Sequence, residues 1–136
     1  MQDEVVFDAK LPCLSLMLQW IRSKLRPLAL SSSDKNKLEL VAEEILVNII
    51  HYAYQDKEGK IEIVWIQKPS LVYLVFKDFG TPFNPLLHEK PPIKSLSIDS
   101  KEVGGLGIFF MKNLIDKIDY RYENSANILT ISKKIA

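Results

Sequence analysis

The chain has 136 residues, 47% of them hydrophobic and 26% charged, which is the size and composition of one globular domain with its own core. Eighteen basic and seventeen acidic residues leave a formal charge of +1, so the composition argues against a protein that holds nucleic acid mainly through phosphate contacts. The single cysteine excludes an internal disulfide, and no apolar run approaches bilayer-spanning length, so we expect a cytoplasmic protein without a membrane segment.

The first half of the chain predicts one strand and two helices. Val5-Val6-Phe7 is a short strand candidate, and apolar residues recur at helical spacing over 12–25. Ser31-Ser32-Ser33-Asp34 supplies helix N-cap chemistry, and a second helical pattern continues from there through Tyr54. A turn follows before the chain becomes strand-like.

The second half predicts two antiparallel hairpins separated by a long segment. Strand patterns at 61–66 and 71–76 form the first hairpin, and those at 118–122 and 128–132 form the second. Residues 78–103 hold four prolines and no sustained period, which is typical of a functional or disordered loop, and a helix follows to about Asp116. This order predicts an α+β fold in a single domain over 1–136, a two-layer α/β sandwich with a mostly antiparallel sheet and helices on one face.

Apolar residues occupy both faces of the first predicted hairpin. In its second strand, Val72, Leu74 and Phe76 alternate with Leu71, Tyr73 and Val75. The helices can cover only one face, and an uncovered apolar face favours aggregation of a monomer. We therefore expect a partner surface or a thin cover on the other face, and we predict a homodimer.

The first motif with chemical meaning lies on the second helix. Glu44 and Asn48 are one turn apart, and His51 follows on nearly the same line. An amide oxygen can complete a Mg²⁺ shell, and a carboxylate one turn away can deprotonate an attacking hydroxyl. The spacing alone is weak, because most such helical pairs are surface or capping contacts.

Two glycine turns carry the other motifs. Asp78-Phe79-Gly80, with Phe83 shortly after it, follows an apolar strand, where an acidic side chain can accept a hydrogen bond from an adenine amino group. A strand-terminating turn is the alternative. Gly104-Gly105-Leu106-Gly107 opens a helix, where backbone N–H groups can approach phosphate oxygens. A hinge before a helix start is the alternative here.

Together, and in this order, the motifs resemble those of the GHKL (Bergerat-fold) ATPases, in which an N box and two glycine boxes bracket a lid over ATP. Within that superfamily, the segment from Glu44 to Tyr54 resembles the N box of the anti-sigma-factor serine kinases of the RsbW and SpoIIAB type. The segments from Gly104 to Asp116 and from Asn127 to Lys134 resemble the second glycine box and the last strand of the same kinases. The resemblance covers nearly the whole chain.

The resemblance implies a role for each matching residue. Glu44 matches the general base, and Asn48 matches the Mg²⁺ ligand. Asp78 matches the adenine-recognising carboxylate, with Gly80 and Phe83 beside it and Thr130 as a helper on the last strand. Gly104, Gly105, Leu106 and Gly107 match the phosphate turn. His51 is interpreted as a packed histidine beside this nucleotide site rather than as a phosphoacceptor.

The function implied by the resemblance is that of an anti-sigma factor and ATP-dependent protein serine kinase. Such a protein binds ATP or ADP with Mg²⁺, sequesters a sigma factor and phosphorylates a STAS-domain anti-anti-sigma protein. Two alternatives remain open: a binding module in which the nucleotide only sets partner preference, and a switch kinase of a non-sigma pathway. The presence of both Glu44 and Asn48 favours the enzyme.

Overall fold

A computed structural model describes residues 1–55, 57–85 and 114–135. They form a five-stranded antiparallel sheet of order β1-β2-β3-β5-β4 with two helices, and none of the described helices is long and apolar enough to cross a membrane. The predicted α+β class and both hairpins are confirmed. The elements are β1 (Gln2–Asp8), α1 (Leu14–Leu25), α2 (Ser32–Asn48), β2 (Lys60–Gln67), β3 (Leu71–Asp78), β4 (Lys117–Glu123) and β5 (Ala126–Lys134).

Local sequence chemistry accounts for the start of α2 and for the last hairpin. The Ser31 side chain accepts a hydrogen bond from the backbone N–H of Asp34, as an N-cap residue does. Between β4 and β5, Asn124 and Ser125 have φ angles of 54° and 63°. Two positive φ angles are what a two-residue hairpin turn of the primed type requires, and asparagine tolerates that region well.

The core lies between the two helices and one face of the sheet. The largest fully buried side chains come from both layers: Met17 and Ile21 of α1, Ile45 and Leu46 of α2, Ile61, Ile63 and Trp65 of β2, Phe76 of β3 and Ile131 of β5. In β2 and β3 these buried residues alternate with less buried ones. Every second side chain of these strands therefore packs against the helical layer.

The opposite face of the sheet departs from the expectation of burial on both sides. Val64, Tyr73 and Val75 occupy it and are only partly buried, because no described element packs over them. The register places Val75 between Val64 of β2 and Thr130 of β5, at the centre of this outer face. A cover for the face remains a prediction.

The end of α2 differs from the continuous helix predicted through Tyr54. Ordinary α-helical bonding ends at Asn48, and Ile49–Ala53 form a π-helical turn. A π-turn uses i→i+5 bonds and so holds more residues than an α-turn. Side chains beyond Asn48 are therefore rotated away from the line on which Glu44 and Asn48 lie.

Candidate functional site

A pocket opens where the C-terminal end of α2 meets the end of β3 and the β4–β5 hairpin. Asn48, Asp78, Tyr120 and Asn127 contribute the polar groups of its lining. Its apolar walls are formed by side chains that include Ile45, Phe76, Phe83 and Leu129. An apolar pocket with a few convergent polar groups is the usual form of a small-molecule site.

Two buried oxygen atoms on α2 have no hydrogen-bond partner in the described part of the chain. They are Oδ1 of Asn48, a residue that is only 6% exposed, and Oε2 of Glu44, one turn earlier. Burial raises the pKa of the Glu44 carboxyl, and the charge of Glu43 adds to this effect. Because unpaired buried polar atoms are costly, a pair of them one turn apart indicates a place for a ligand.

Asp78 ends β3 inside the pocket and is 4% exposed. Its Oδ1 accepts hydrogen bonds from the Gly80 backbone N–H at 3.0 Å and from Asn127 Nδ2 at 2.9 Å. Burial raises the pKa of Asp78, while these two hydrogen bonds act in the opposite direction. Within the described residues no hydrogen bond reaches Oδ2, so this oxygen can accept one from a ligand.

Position 80 needs a glycine because the backbone of the Asp78 turn passes too close to the backbone of Ala53 to leave room for a side chain. A Cβ atom at this position would lie 2.1 Å from the carbonyl oxygen of Ala53, at the end of the π-turn. The resemblance implies only that Gly80 lies beside the adenine-recognising carboxylate. The structure shows that a glycine is needed here for the Asp78 turn to pack against the end of α2.

We expect Gly80→Ala to lower the free energy of unfolding by about 1–3 kcal/mol, the usual range for overpacking, because a backbone oxygen cannot rotate aside. Urea unfolding would measure the loss. Thr81→Ala is the matched control, since the Thr81 side chain is exposed and should be replaceable at little cost. Equal stability of the two variants would contradict the packing account.

Two further contacts tie the Asp78 turn to the end of α2. The Tyr54 hydroxyl donates to the Lys60 carbonyl at 2.6 Å and accepts from the Phe79 backbone N–H at 2.8 Å. The Thr81 backbone N–H donates to the carbonyl of Ala53 at 2.8 Å. These bonds join the helix that carries Glu44 and Asn48 to the turn that carries Asp78.

Asn127 is a central residue of the site that the sequence interpretation missed. It lies directly opposite Asp78 in the β3–β5 register and is 5% exposed. A signal was available in the sequence: Asn127, Leu129 and Ile131 share one face of a strand by period-two alternation, and the last two are core residues.

The structure brings some of the predicted site residues together and separates others. Asn48, Asp78 and Phe83 line the pocket, Glu44 precedes Asn48 on α2, and Gly80 shapes the turn behind Asp78. Thr130 is not among the residues that line the pocket: it pairs with Val75 and lines a groove on the outer face of the sheet.

His51 is also not among the residues that line the pocket. It is exposed in the π-turn, and its ring centroid lies 6.2 Å from that of the adjacent Tyr52. The wider turn after Asn48 is the physical reason, since it rotates His51 off the line on which the sequence placed it.

The predicted phosphate turn, formed by Gly104, Gly105, Leu106 and Gly107, lies outside the described residues, and so does most of the loop predicted over 78–103. Their proposed roles stay predictions. Of the helix predicted after the glycine turn, the described residues include only the end, where Ile115 is buried in the core.

An antiparallel sheet under two helices, with a buried strand-end carboxylate that shares a pocket with a helical asparagine, is the architecture of an ATP-binding domain. The chain belongs to the histidine kinase-like ATPase domain family, whose model matches residues 7–133. Membership of an ATPase family implies that the chain binds a nucleotide.

Similarity to individual proteins agrees with this family. Serine-protein kinase RsbW of Bacillus licheniformis is 24% identical over 121 residues, covering 85% of this chain and 72% of that protein. This match confirms the resemblance to kinases of the RsbW type. The Acinetobacter baumannii histidine kinase AdeS superposes with a TM-score of 0.54 at 16% identity, covering 98% of this chain and 68% of that chain, and supports the fold alone.

Proposed function

We propose that this chain is a cytoplasmic anti-sigma factor and ATP-dependent protein serine kinase, whose substrate is a STAS-domain anti-anti-sigma protein. The observation that carries the proposal is the pair of buried oxygens on Glu44 and Asn48 that have no hydrogen-bond partner among the described residues, with Asn48 lining the pocket that contains Asp78. The similarity to the serine-protein kinase RsbW supports the choice of a protein serine as the acceptor.

At the base end of the proposed site, Oδ2 of Asp78 accepts a hydrogen bond from the 6-amino group of adenine. The apolar side chains of Phe76, Phe83 and Leu129 supply contact area for the purine ring. A carboxylate that is already held by two donors on its other oxygen is oriented before the nucleotide arrives. Such preorganisation lowers the free-energy cost of binding.

At the phosphate end, the residues fit a Mg²⁺ ion. Asn48 offers a buried amide oxygen that has no partner in the described chain, and Mg²⁺ takes few protein oxygens because it keeps phosphates and waters. When bound, the ion neutralises charge on the phosphates. Glu44 accepts the proton of the substrate serine while the serine oxygen attacks the γ-phosphorus and ADP leaves. Its raised pKa strengthens it as a base.

The remaining parts of the proposed site fall in residues 86–113. We propose that residues 104–107 hold the phosphates and that, of the predicted loop, 86–103 order over the bound nucleotide, since Thr81 and Phe83 are already held by hydrogen bonds. Both proposals rest on the glycine and proline pattern and on the resemblance.

The test of the function is phosphate transfer to a partner. The wild-type chain is incubated with radiolabelled ATP, Mg²⁺ and a STAS-domain protein from the same cell, and labelled serine is sought. A protein that binds ATP and its partner without transferring phosphate would instead be a nucleotide-dependent binding module. Transfer without binding to any sigma factor would indicate a switch kinase of another pathway.

We also propose a homodimer that covers the outer face of the sheet. The expected result is a species of twice the 15.6 kDa chain mass in light scattering at micromolar concentration. Val75→Lys places a charge at the centre of the face and should shift the mass toward the monomer, because a buried unpaired charge is costly. Lys37→Gln, an exposed change on α2 in the opposite layer, is the control. A wild-type chain that remains monomeric refutes the proposal.

A further inference from the structure

The carboxamide of Asn127 uses all of its hydrogen-bonding capacity inside the protein. Nδ2 donates to Oδ1 of Asp78 at 2.9 Å and to the carbonyl of Thr81 at 3.0 Å. Oδ1 accepts from the backbone N–H of Phe83 at 3.0 Å and from the hydroxyl of Tyr120. A side-chain amide has two N–H donors and an oxygen with two lone pairs, so no donor or lone pair is left for a ligand.

We infer that Asn127 is a positioning residue that sets the purine selectivity of the pocket by orienting Asp78 and fixing the wall beside it. The inference rests on the proposed function, in which Asp78 recognises the 6-amino group of adenine. It deepens that function by assigning selectivity to a residue that does not itself touch the base.

The first part of the role concerns the rotation of the Asp78 carboxylate. The last torsion of an aspartate side chain is soft, so the two oxygens can exchange places unless neighbours hold them. Asn127 Nδ2 and the Gly80 N–H both donate to Oδ1. Because both donors bind Oδ1, Oδ2 is the oxygen that is left to accept a hydrogen bond from the nucleotide.

The second part concerns the segment that follows Asp78. The same amide holds the Thr81 carbonyl and the Phe83 N–H, so it closes the chain between these residues into one shape. Phe83 lines the pocket, and its ring stacks on Tyr52 with centroids 5.9 Å apart and planes 23° apart. Asn127 thereby places an aromatic wall at a set position relative to the Asp78 carboxylate.

The ratio of the affinities for two purine nucleotides distinguishes this positioning role from a purely structural one. The probes are ATP and purine riboside triphosphate, an analogue that lacks only the 6-amino group. We expect the wild-type chain to prefer ATP by about tenfold or more, since a hydrogen bond to a charged group is of that strength. In Asn127→Ala the preference should fall to within about threefold, the range of a weakly held, solvent-competed bond.

Two more variants complete the experiment. Tyr120→Phe keeps the ring and removes one donor to Asn127, so it should reduce the preference in the same direction by a smaller factor. Ser132→Ala changes another buried polar residue of β5, on the outer face, and should keep the wild-type preference. Cooperative thermal unfolding of each variant is the check that it is folded.

Each outcome decides the inference. Folded variants that keep the full preference for ATP overturn it, and so does an equal loss of affinity for both triphosphates, which is what a structural defect produces. Where Asn127→Ala does not fold, Tyr120→Phe decides alone. A wild-type chain that binds both triphosphates equally also overturns it. A wild-type chain that binds neither removes the proposed function and the role of Asn127 together.

Discussion

Glu44→Gln is expected to reduce serine phosphorylation by about two to four powers of ten while ATP binding is retained, because it removes a general base and no part of the adenine pocket. The rate in the wild type should rise with pH through the pKa of Glu44. Burial places that pKa above the ordinary glutamate range, so the rise should occur at a correspondingly higher pH. Single-turnover transfer from radiolabelled ATP at several pH values measures both effects.

The same substitution should increase the stability of the fold at pH 8. A raised pKa means that the folded state holds the proton of Glu44 more tightly than the unfolded chain does. The stability linked to this group is present below the unfolded pKa and is lost as the pH rises through the folded pKa. Glutamine does not ionise, so the variant escapes this loss, and its advantage should shrink as the pH falls toward about 4, where unfolded glutamate titrates.

Glu58→Gln is the matched control for both measurements. Glu58 is exposed and its charge does not contribute to the raised pKa of Glu44, so its loss should leave phosphorylation near the wild-type rate. A Glu44→Gln protein that transfers phosphate as fast as the wild type would contradict the assignment of the base. A variant that is less stable than the wild type at pH 8 would contradict the account of a buried, unpartnered carboxylate.

Asp78→Asn is expected to weaken ATP binding by about 10- to 100-fold, the range for losing a hydrogen bond to a charged group. The Gly80 N–H and Asn127 Nδ2 both require an acceptor, so the oxygen of the new amide should stay where Oδ1 is now. The new NH₂ group then takes the place of Oδ2 and meets the adenine amino group donor to donor.

The new amide group should also change which base the pocket prefers. Inosine triphosphate carries a carbonyl oxygen in place of the amino group, and that oxygen can accept from the new NH₂ group. The ratio of affinities for inosine triphosphate and ATP should therefore rise in Asp78→Asn, as calorimetry with both nucleotides would measure. Asp119→Asn, an exposed change on β4, should leave both affinities unchanged. Unchanged ATP affinity in Asp78→Asn would refute the adenine contact.

Two residues of α2 and the turn after β3 show which features of the site a local sequence pattern can predict. Glu44 and Asn48 lie one turn apart on α2 as their spacing predicts, because an α-helix converts a four-residue separation into adjacency. Asp78 ends a strand whose alternation is visible in the sequence. His51 departs from its predicted line because a π-turn is decided by how the chain packs after Asn48, and no local pattern announced it.

The sequence alone determined the α+β class and the order of the described elements, because periodicity, capping and turn chemistry act within a few residues. The candidate roles of Glu44, Asn48 and Asp78 came from the resemblance of their motifs to those of a known family. Only the tertiary structure decided that Asn127, and not Thr130, meets Asp78, because that depends on which strand pairs with β3 and in which register. It also decided why residue 80 is a glycine, since the Ala53 carbonyl that excludes a side chain comes from a distant part of the chain.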